Sequence, residues 1–135
     1  MTGAIEQGAS ESRGSTHLLH FLVRLPRPVE QVWPALATGA GLAAWFTPAD
    51  VLEPRLGGEV ALRDVGPGSV TAWDVERVAE YTVEGGGRVR FHLERDGDTG
   101  TTLRFTHEFR GPVTTERRWR ARFERLAALL EDRPS

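Results

Sequence analysis

The stretch RVRFHLERDGDTGTTLRFTHEF, residues 88–109, decides how this chain folds. Apolar and polar residues alternate on both sides of the central GDTG. Alternation with a period of two is typical of a strand with one buried face, and a Gly-Asp turn between two such runs predicts a β-hairpin. The inward face of the hairpin would carry Val89, Phe91, Leu93, Leu103, Phe105, His107 and Phe109.

A long helix is predicted directly after this hairpin. Trp119, Phe123, Leu126 and Leu130 follow one another at steps of four, three and four residues. This is the spacing of a single buried helical stripe, and arginine and glutamate occupy most of the remaining positions. We therefore expect the helix to lie with its apolar stripe against a sheet.

Strands and turns account for much of the remaining chain. Residues 17–26, HLLHFLVRLP, alternate as a strand, and residues 59–64 form another after a glycine pair. The segment 69–85 is long for one strand and should break near Val75–Arg77. Strands joined by tight turns are antiparallel. The sequence thus predicts an α+β fold, with a curved antiparallel sheet of about six strands, two short helices and a long C-terminal helix over the concave face.

Two tryptophans flank the connection between the short helices, in the sequence VWPALATGAGLAAWFTP, residues 32–48. The first, Trp33, falls on the apolar stripe of a helix that Pro34 should shorten or kink. We expect Trp33 to anchor that helix in the core. The glycines and alanines before Trp45 indicate a loose connector.

One domain is expected from the length of 135 residues. Residues 1–16 are rich in glycine, serine, threonine and glutamate, which predicts a disordered N-terminal tail before a domain at 17–132 and a short tail at 133–135. The N-terminus lacks the apolar core of a secretory signal, and no run reaches the roughly 20 apolar residues of a membrane helix. A cytoplasmic protein without a membrane span is the expectation.

Composition excludes several kinds of chemistry. The chain contains no cysteine, so disulfides, thiolate catalysis and cysteine-ligated metals are ruled out. All 17 basic residues are arginine, which rules out a lysine Schiff base and hints at a GC-rich bacterial genome. A net charge of -2, with glutamates among the arginines of the last helix, argues against nucleic acid as a partner.

The order and spacing of four passages resemble the START-like superfamily, also called SRPBCC or helix-grip. The closer resemblance is to the branch named after the C-terminal domain of the activator of the heat-shock-protein-90 ATPase. The passages are RPVEQVWPALATGAGLAAWFTP at 27–48, GGEVAL at 57–62, YTVEGGGRVRFHLERDGDTGTTLRFTHEF at 81–109, and the helix with Trp119 and RLAALL at 125–130.

This resemblance implies a cavity between the sheet and the long helix that binds a small hydrophobic or amphipathic ligand. Trp45 would form the lip of the cavity, while Tyr81 and His107 would supply polar groups that orient the ligand. The expected ligand-binding residues are Trp33, Trp45, Phe46, Trp73, Tyr81, Phe91, Phe105, His107, Trp119 and Phe123.

Other interpretations stay open at this point. The aromatic residues also fit an ordinary core, with His107 as a hydrogen-bonded core histidine. The resemblance further allows a polyketide cyclase- or dehydratase-like enzyme, or a co-chaperone-like module that contacts a chaperone or a second copy of itself. We find no catalytic constellation, cofactor motif or metal cluster. His17 and His20 point to opposite faces, and the outward parity of Glu80 and Glu108 predicts exposure to solvent.

Overall fold

A nine-stranded antiparallel sheet and three helices make up the structure, a computed structural model that describes residues 5–8, 10–63, 65–85, 87–110 and 115–131. The strands are β1 (Ile5–Gln7), β2 (Glu11–Arg13), β3 (Thr16–Leu25), β4 (Ala49–Leu52), β5 (Glu59–Leu62), β6 (Gly66–Asp74), β7 (Val78–Val83), β8 (Gly87–Asp96) and β9 (Gly100–Arg110). The helices are α1 (Val29–Ala37), α2 (Gly39–Trp45) and α3 (Thr115–Glu131).

The strands follow the order β1-β3-β9-β8-β7-β6-β5-β4, and β1 and β2 pair with different halves of the same edge of β3. The hairpin predicted for residues 88–109 is confirmed as β8 and β9, in which Phe91 lies opposite Phe105 and Leu93 opposite Leu103. The predicted α+β helix-grip architecture is therefore confirmed.

The sheet contains more strands than predicted, nine where the sequence indicated about six. The additional strands are β1, β2 and β4, which are three or four residues long and mostly exposed. They lie at the edges of the sheet and pair through their backbones along one side only. Their side chains consequently need no alternating pattern, and periodicity does not reveal them.

The N-terminal segment corrects the prediction of a disordered tail over residues 1–16. Residues 5–7 and 11–13 form strands on β3, and Ile5, opposite Val23, packs against the core. The positive φ of 60° at Gly14 allows the turn between β2 and β3. The polar composition of this segment did not predict its strands, because β1 and β2 pair with β3 through main-chain groups. The other predicted tail, 133–135, lies outside the described residues.

The C-terminal helix buries the stripe predicted for it. Trp119, Phe123, Leu126 and Leu130 are all buried, and α3 contacts β3, β1 and α2. Burying one such side chain contributes about 1.5–3 kcal/mol, so this face is the main attachment of α3 to the rest of the domain.

The connection between α1 and α2 is a tightly packed corner, not the loose connector that its small residues indicated. The hydroxyl of Thr38 accepts a hydrogen bond from the Gly41 N–H at 2.9 Å and caps α2, while donating to the Pro34 carbonyl oxygen at 2.7 Å. A Cβ added at Gly41 would lie 2.0 Å from that carbonyl oxygen and 2.7 Å from the Ala35 Cα. The glycine therefore lets the two helices approach each other closely.

We expect Gly41→Ala to lower the free energy of unfolding by about 1–3 kcal/mol, the usual range for overpacking. The new methyl group would overlap the Pro34 carbonyl, which belongs to the backbone and has little room to move. Denaturant unfolding measures the change. Gly39→Ala is the matched control in the same helix, because its Cβ would come no closer than 3.3 Å to a heavy atom. Equal losses in the two variants would show that this close approach is unimportant.

Candidate functional site

Six of the ten predicted ligand-binding residues form one buried cluster of aromatic rings, called the ring cluster below. Each exposes 2% or less of its surface. Ring centroids in contact lie from 4.3 Å apart for Phe105 and Trp119 to 6.4 Å for Tyr81 and Phe91. The rings fill the space between the sheet and α3, and so act as core in this structure. The cluster consists of Trp45, Tyr81, Phe91, Phe105, Trp119 and Phe123.

Trp33 and Trp45 differ from expectation in their burial, since Trp33 was expected in the core and Trp45 at the lip of a cavity. Trp45 is 0% exposed, and its indole N–H donates to the Ala35 carbonyl oxygen at 2.8 Å, so it is an anchor and not a cavity lip. Trp33 is half-buried and packs edge-on against Trp73, with ring centroids 5.1 Å apart. The buried stripe of α1 runs through its aliphatic residues, and position 33 lies beside that stripe.

Tyr81 has a structural partner for its hydroxyl. The buried hydroxyl donates a 2.6 Å hydrogen bond to the Leu36 carbonyl oxygen near the end of α1. Burial raises the pKa of Tyr81 far above its ordinary value, because the phenolate would lose its hydration. The side chain therefore stays neutral and joins α1 to β7, and its proton is not directed toward a ligand.

Tyr81 makes the stability of the fold sensitive to alkaline pH. The unfolded chain ionises near the ordinary pKa of 10.0, whereas the native protein keeps the hydroxyl protonated. The contribution to stability is thus complete below pH 10 and decreases as the pH rises above it. Because the chain has one tyrosine, tyrosinate absorbance reports this residue alone. We expect that absorbance to appear together with the loss of folded circular dichroism.

Tyr81→Phe is the control for this titration. At neutral pH we expect it to lose about 0.5–1.5 kcal/mol, because the Leu36 carbonyl loses its donor. Above pH 10 its stability should fall less steeply than that of the natural protein. Tyrosinate absorbance that appears near pH 10 while the protein is still folded would contradict the raised pKa.

His107 also serves the core. It is 7% exposed, stacks on Phe109 with ring centroids 4.6 Å apart, and accepts a hydrogen bond at Nδ1 from the Trp119 indole N–H at 3.0 Å. A neutral imidazole that accepts at Nδ1 carries its proton on Nε2. The histidine is thereby fixed between β9 and α3, which matches the interpretation as a hydrogen-bonded core residue.

The carboxylates of the outer sheet face form ion pairs. The prediction that Glu80 is exposed is wrong: its side chain is 7% exposed and lies 3.0 Å from Arg90, with the Thr71 hydroxyl donating at 2.7 Å. Glu108 is half-buried and lies 2.6 Å from Arg88. The outward parity of Glu80 is confirmed, but the long side chains of Arg88 and Arg90 on the neighbouring strand β8 cover it.

A cleft with a volume of about 770 Å³ opens between the α1–α2 corner and α3. Its apolar lining includes Ala35, Ala40 and Ala44 on one wall, with Leu126, Leu129 and Leu130 on the other. Its polar lining includes Gln31, Thr38 and Arg125. Small residues on the α1–α2 side leave room that larger ones would fill. Leu129 is 41% exposed there.

One arginine connects this region to the ring cluster. The Arg122 guanidinium carbon lies 4.8 Å from the ring centroids of both Phe46 and Trp119. Burial first, and then the nearby Arg118 and Arg125 guanidiniums, lower the pKa of Arg122 from its ordinary value. Phe46 itself is half-buried, 4.9 Å from Trp119 between ring centroids. A cation in contact with two aromatic faces is held in a defined orientation.

Sequence reasoning did not identify this cleft or Arg122. Alanines and glycines in residues 35–44 suggested flexibility, whereas in the structure they form the open wall of the cleft. The sequence signal that could have indicated the cleft is the contrast between the small residues at 35–44 and the large apolar residues of the α3 stripe. Arg122 sits only one residue before Phe123 of the stripe, and its stacking depends on Phe46, distant in sequence.

Two classes of site receive no support from the described part of the chain. No group of three or more metal-ligating carboxylate or histidine side chains is found within it. Among the same residues, no helix has the length and apolar character required to cross a membrane.

The antiparallel sheet, the α1–α2 corner and the long α3 define a START-like protein of the helix-grip type. A family model described as Activator of Hsp90 ATPase homolog 1-like protein matches residues 26–131, and the chain belongs to that family. Comparison with curated protein sequences finds no match.

Solved structures with a similar fold include CalU16 from Micromonospora echinospora, with a TM-score of 0.76 and 22% identity over 96% of this chain and 87% of that chain. DynU16, from the dynemicin biosynthetic locus, has a TM-score of 0.67 and 22% identity over 85% of this chain and 47% of that chain. The Aha1 dimer from Colwellia psychrerythraea has a TM-score of 0.66 and 20% identity over 85% of this chain and 96% of that chain. At these identities the similarity concerns the fold.

Proposed function

We propose that the protein binds a small amphipathic molecule in the cleft between the α1–α2 corner and α3. The observation that carries the proposal is the cleft itself, with a volume of about 770 Å³, an apolar lining and a few polar groups. Ligand pockets in proteins typically measure about 300–1,000 Å³ and combine apolar walls with a few polar groups.

This location differs from the cavity that the resemblance implied. The ring cluster fills the space between the sheet and α3, so a ligand there would have to displace tightly packed aromatic side chains. In the cleft, a ligand reaches the exposed side chain of Leu129 without such a displacement. Its polar contacts would come from Gln31 and Arg125, since Tyr81 and His107 have partners in the core.

The driving force is the removal of apolar surface from water. Leu129 and the alanines of α2 would be covered by the ligand, and each buried Å² of apolar area contributes about 25 cal/mol before the costs of association are subtracted. Several of these side chains are short or already ordered by the helices, so little conformational entropy is lost when a ligand binds.

An enzymatic function of the cyclase or dehydratase kind is less well supported. Such chemistry needs a general acid or base within hydrogen-bonding reach of the substrate. The described residues that line the cleft include no histidine, aspartate or glutamate. DynU16 comes from a biosynthetic locus, which is compatible with a small-molecule ligand for this fold without requiring catalysis.

The chaperone-activating and self-associating alternatives need an exposed apolar patch. The large exposed apolar side chains among the described residues are Val51 on β4, Leu56 in the following loop, Val75 in the β6–β7 turn, and Leu129 in the cleft. They are spread over separate elements. The family description and the Aha1 dimer keep these alternatives in view, but the surface favours the cleft.

We expect the neutral fluorescent probe phenylnaphthylamine to bind this cleft and Ala44→Leu to weaken binding by about tenfold, equivalent to roughly 1.4 kcal/mol. A leucine at this exposed α2 position would occupy the space that the probe needs. Fluorescence titration measures the dissociation constant.

Ala43→Leu is the matched control, because Ala43 is exposed on the same helix and does not line the cleft. It should bind the probe as the natural protein does. Undiminished binding by Ala44→Leu, or the same loss in both variants, would contradict the proposed site. Unfolding curves of the three proteins check that none has lost its fold.

A further inference from the structure

Most of the described arginines in the sheet and its loops are paired with carboxylates. Eight of them lie within 4.0 Å of a carboxylate oxygen; they are Arg24, Arg55, Arg63, Arg77, Arg88, Arg90, Arg95 and Arg104. α3 carries five arginines, at 117, 118, 120, 122 and 125, and none of them has a described carboxylate partner at that distance. α3 also carries Glu116, Glu124 and Glu131, so five arginines against three glutamates give this helix a net charge of +2 in a protein with a net charge of -2.

Arg122 is the member of this group that is held in place. The rings of Phe46 and Trp119 contact its guanidinium group, and the side chain is half-buried. Within the described part of the chain, no oxygen accepts a hydrogen bond from its N–H groups. A guanidinium has five such donors in a rigid plane, and stacking on rings leaves the donors at the edge of that plane available.

Charge repulsion makes this place favourable for an anion. Arg118 and Arg125 lie close enough to Arg122 to lower its pKa, in addition to the larger effect of burial. A carboxylate between these groups would satisfy their donors and reduce their mutual repulsion. Charge-assisted hydrogen bonds of this kind are about twice as strong as neutral ones.

The position of Arg122 relative to the cleft defines the shape of the ligand. Arg125 lines the cleft, and Arg122 precedes it by three residues, which is about 4.5 Å along the axis of α3 and about 60° away round the helix. Phe46, which stacks on Arg122, directly follows α2, whose alanines form the opposite wall. An apolar body in the cleft would therefore place a group at its end beside the two arginines.

We propose that Arg122, together with Arg125, makes the cleft selective for small molecules that combine an apolar body with a carboxylate. The proposal rests on the binding function proposed above and specifies the ligand class. Arg125 contacts the carboxylate from the cleft wall, and Arg122 donates to it from a guanidinium oriented by Phe46 and Trp119. Gln31 and Thr38 belong to the polar lining farther along the α1–α2 corner.

Octanoate and octanol are a matched pair of probes, because they share an alkyl chain and differ in charge. Titration followed by amide chemical shifts in low salt measures both affinities on the natural protein. We expect octanoate to bind about tenfold more tightly than octanol, the difference expected for a charged hydrogen-bonded contact. Added salt should reduce that preference. Equal affinities for the two probes would overturn the proposal.

Variants locate the preference on particular residues. Arg122→Gln should lower the octanoate affinity by about tenfold and leave the octanol affinity within about twofold. Arg122→Lys keeps the charge but loses the planar donor edge, so it should weaken octanoate less than Arg122→Gln does. Arg117→Gln removes the same charge at a position about 140° round the helix from Arg122, and it should leave both affinities unchanged.

The outcomes separate this inference from the proposed function. If octanol still binds the cleft and Arg122→Gln changes both probes equally, the binding function stands and the role of Arg122 is overturned. If neither probe shifts the amides of residues 40–46 and 125–130, the cleft does not bind ligands and both proposals fall. A purely structural role of Arg122 would lower the unfolding midpoint without changing the ratio of the two affinities.

Discussion

Packing of Phe105 on β9 against Trp119 and Phe123 on α3 is the contact on which the other features of the domain depend. The ring centroids are 4.3 Å and 5.0 Å apart. Trp119 and Phe123 are four residues apart, so both rings lie on the face of α3 that meets the sheet. Phe123 also stacks on Trp45, whose indole N–H is bonded to α1. The same contacts thus position α3 on the sheet and fix the α1–α2 corner.

The ring cluster occupies the interior between the sheet and α3. The two polar side chains expected to face a ligand are hydrogen-bonded within the core instead. Tyr81 donates to the Leu36 carbonyl oxygen, and His107 accepts from the Trp119 indole N–H. The cleft lies outside the ring cluster, where small residues of α2 face α3. Gly41 brings α1 and α2 close together, and Leu129 is left partly exposed opposite them.

The fold was predictable because its central elements have strong periodicity. Alternation over residues 88–109 and the stripe from Trp119 to Leu130 depend on burial of whole faces, which leaves a direct trace in the sequence. The edge strands depend on backbone pairing and left no such trace. Trp33 was expected in the core because a helical stripe is wide enough to include a flanking position, and tertiary packing decides which member is buried. The position of Trp45 at a cavity lip was implied by the resemblance and not by its own pattern.

The cleft was less predictable than the core for a related reason. One wall of the cleft is formed by small side chains on α2, and Arg125 on the opposite helix supplies its positive charge. The neighbouring Arg122 contacts Phe46, which is distant in sequence. Neither feature contributes to the periodic pattern that specifies the sheet and α3. Changes at cleft positions such as Ala44 or Arg125 are therefore expected to leave the ring cluster undisturbed. Proteins with about 20% identity can share this fold while binding different ligands, because stability and specificity reside in different sets of residues.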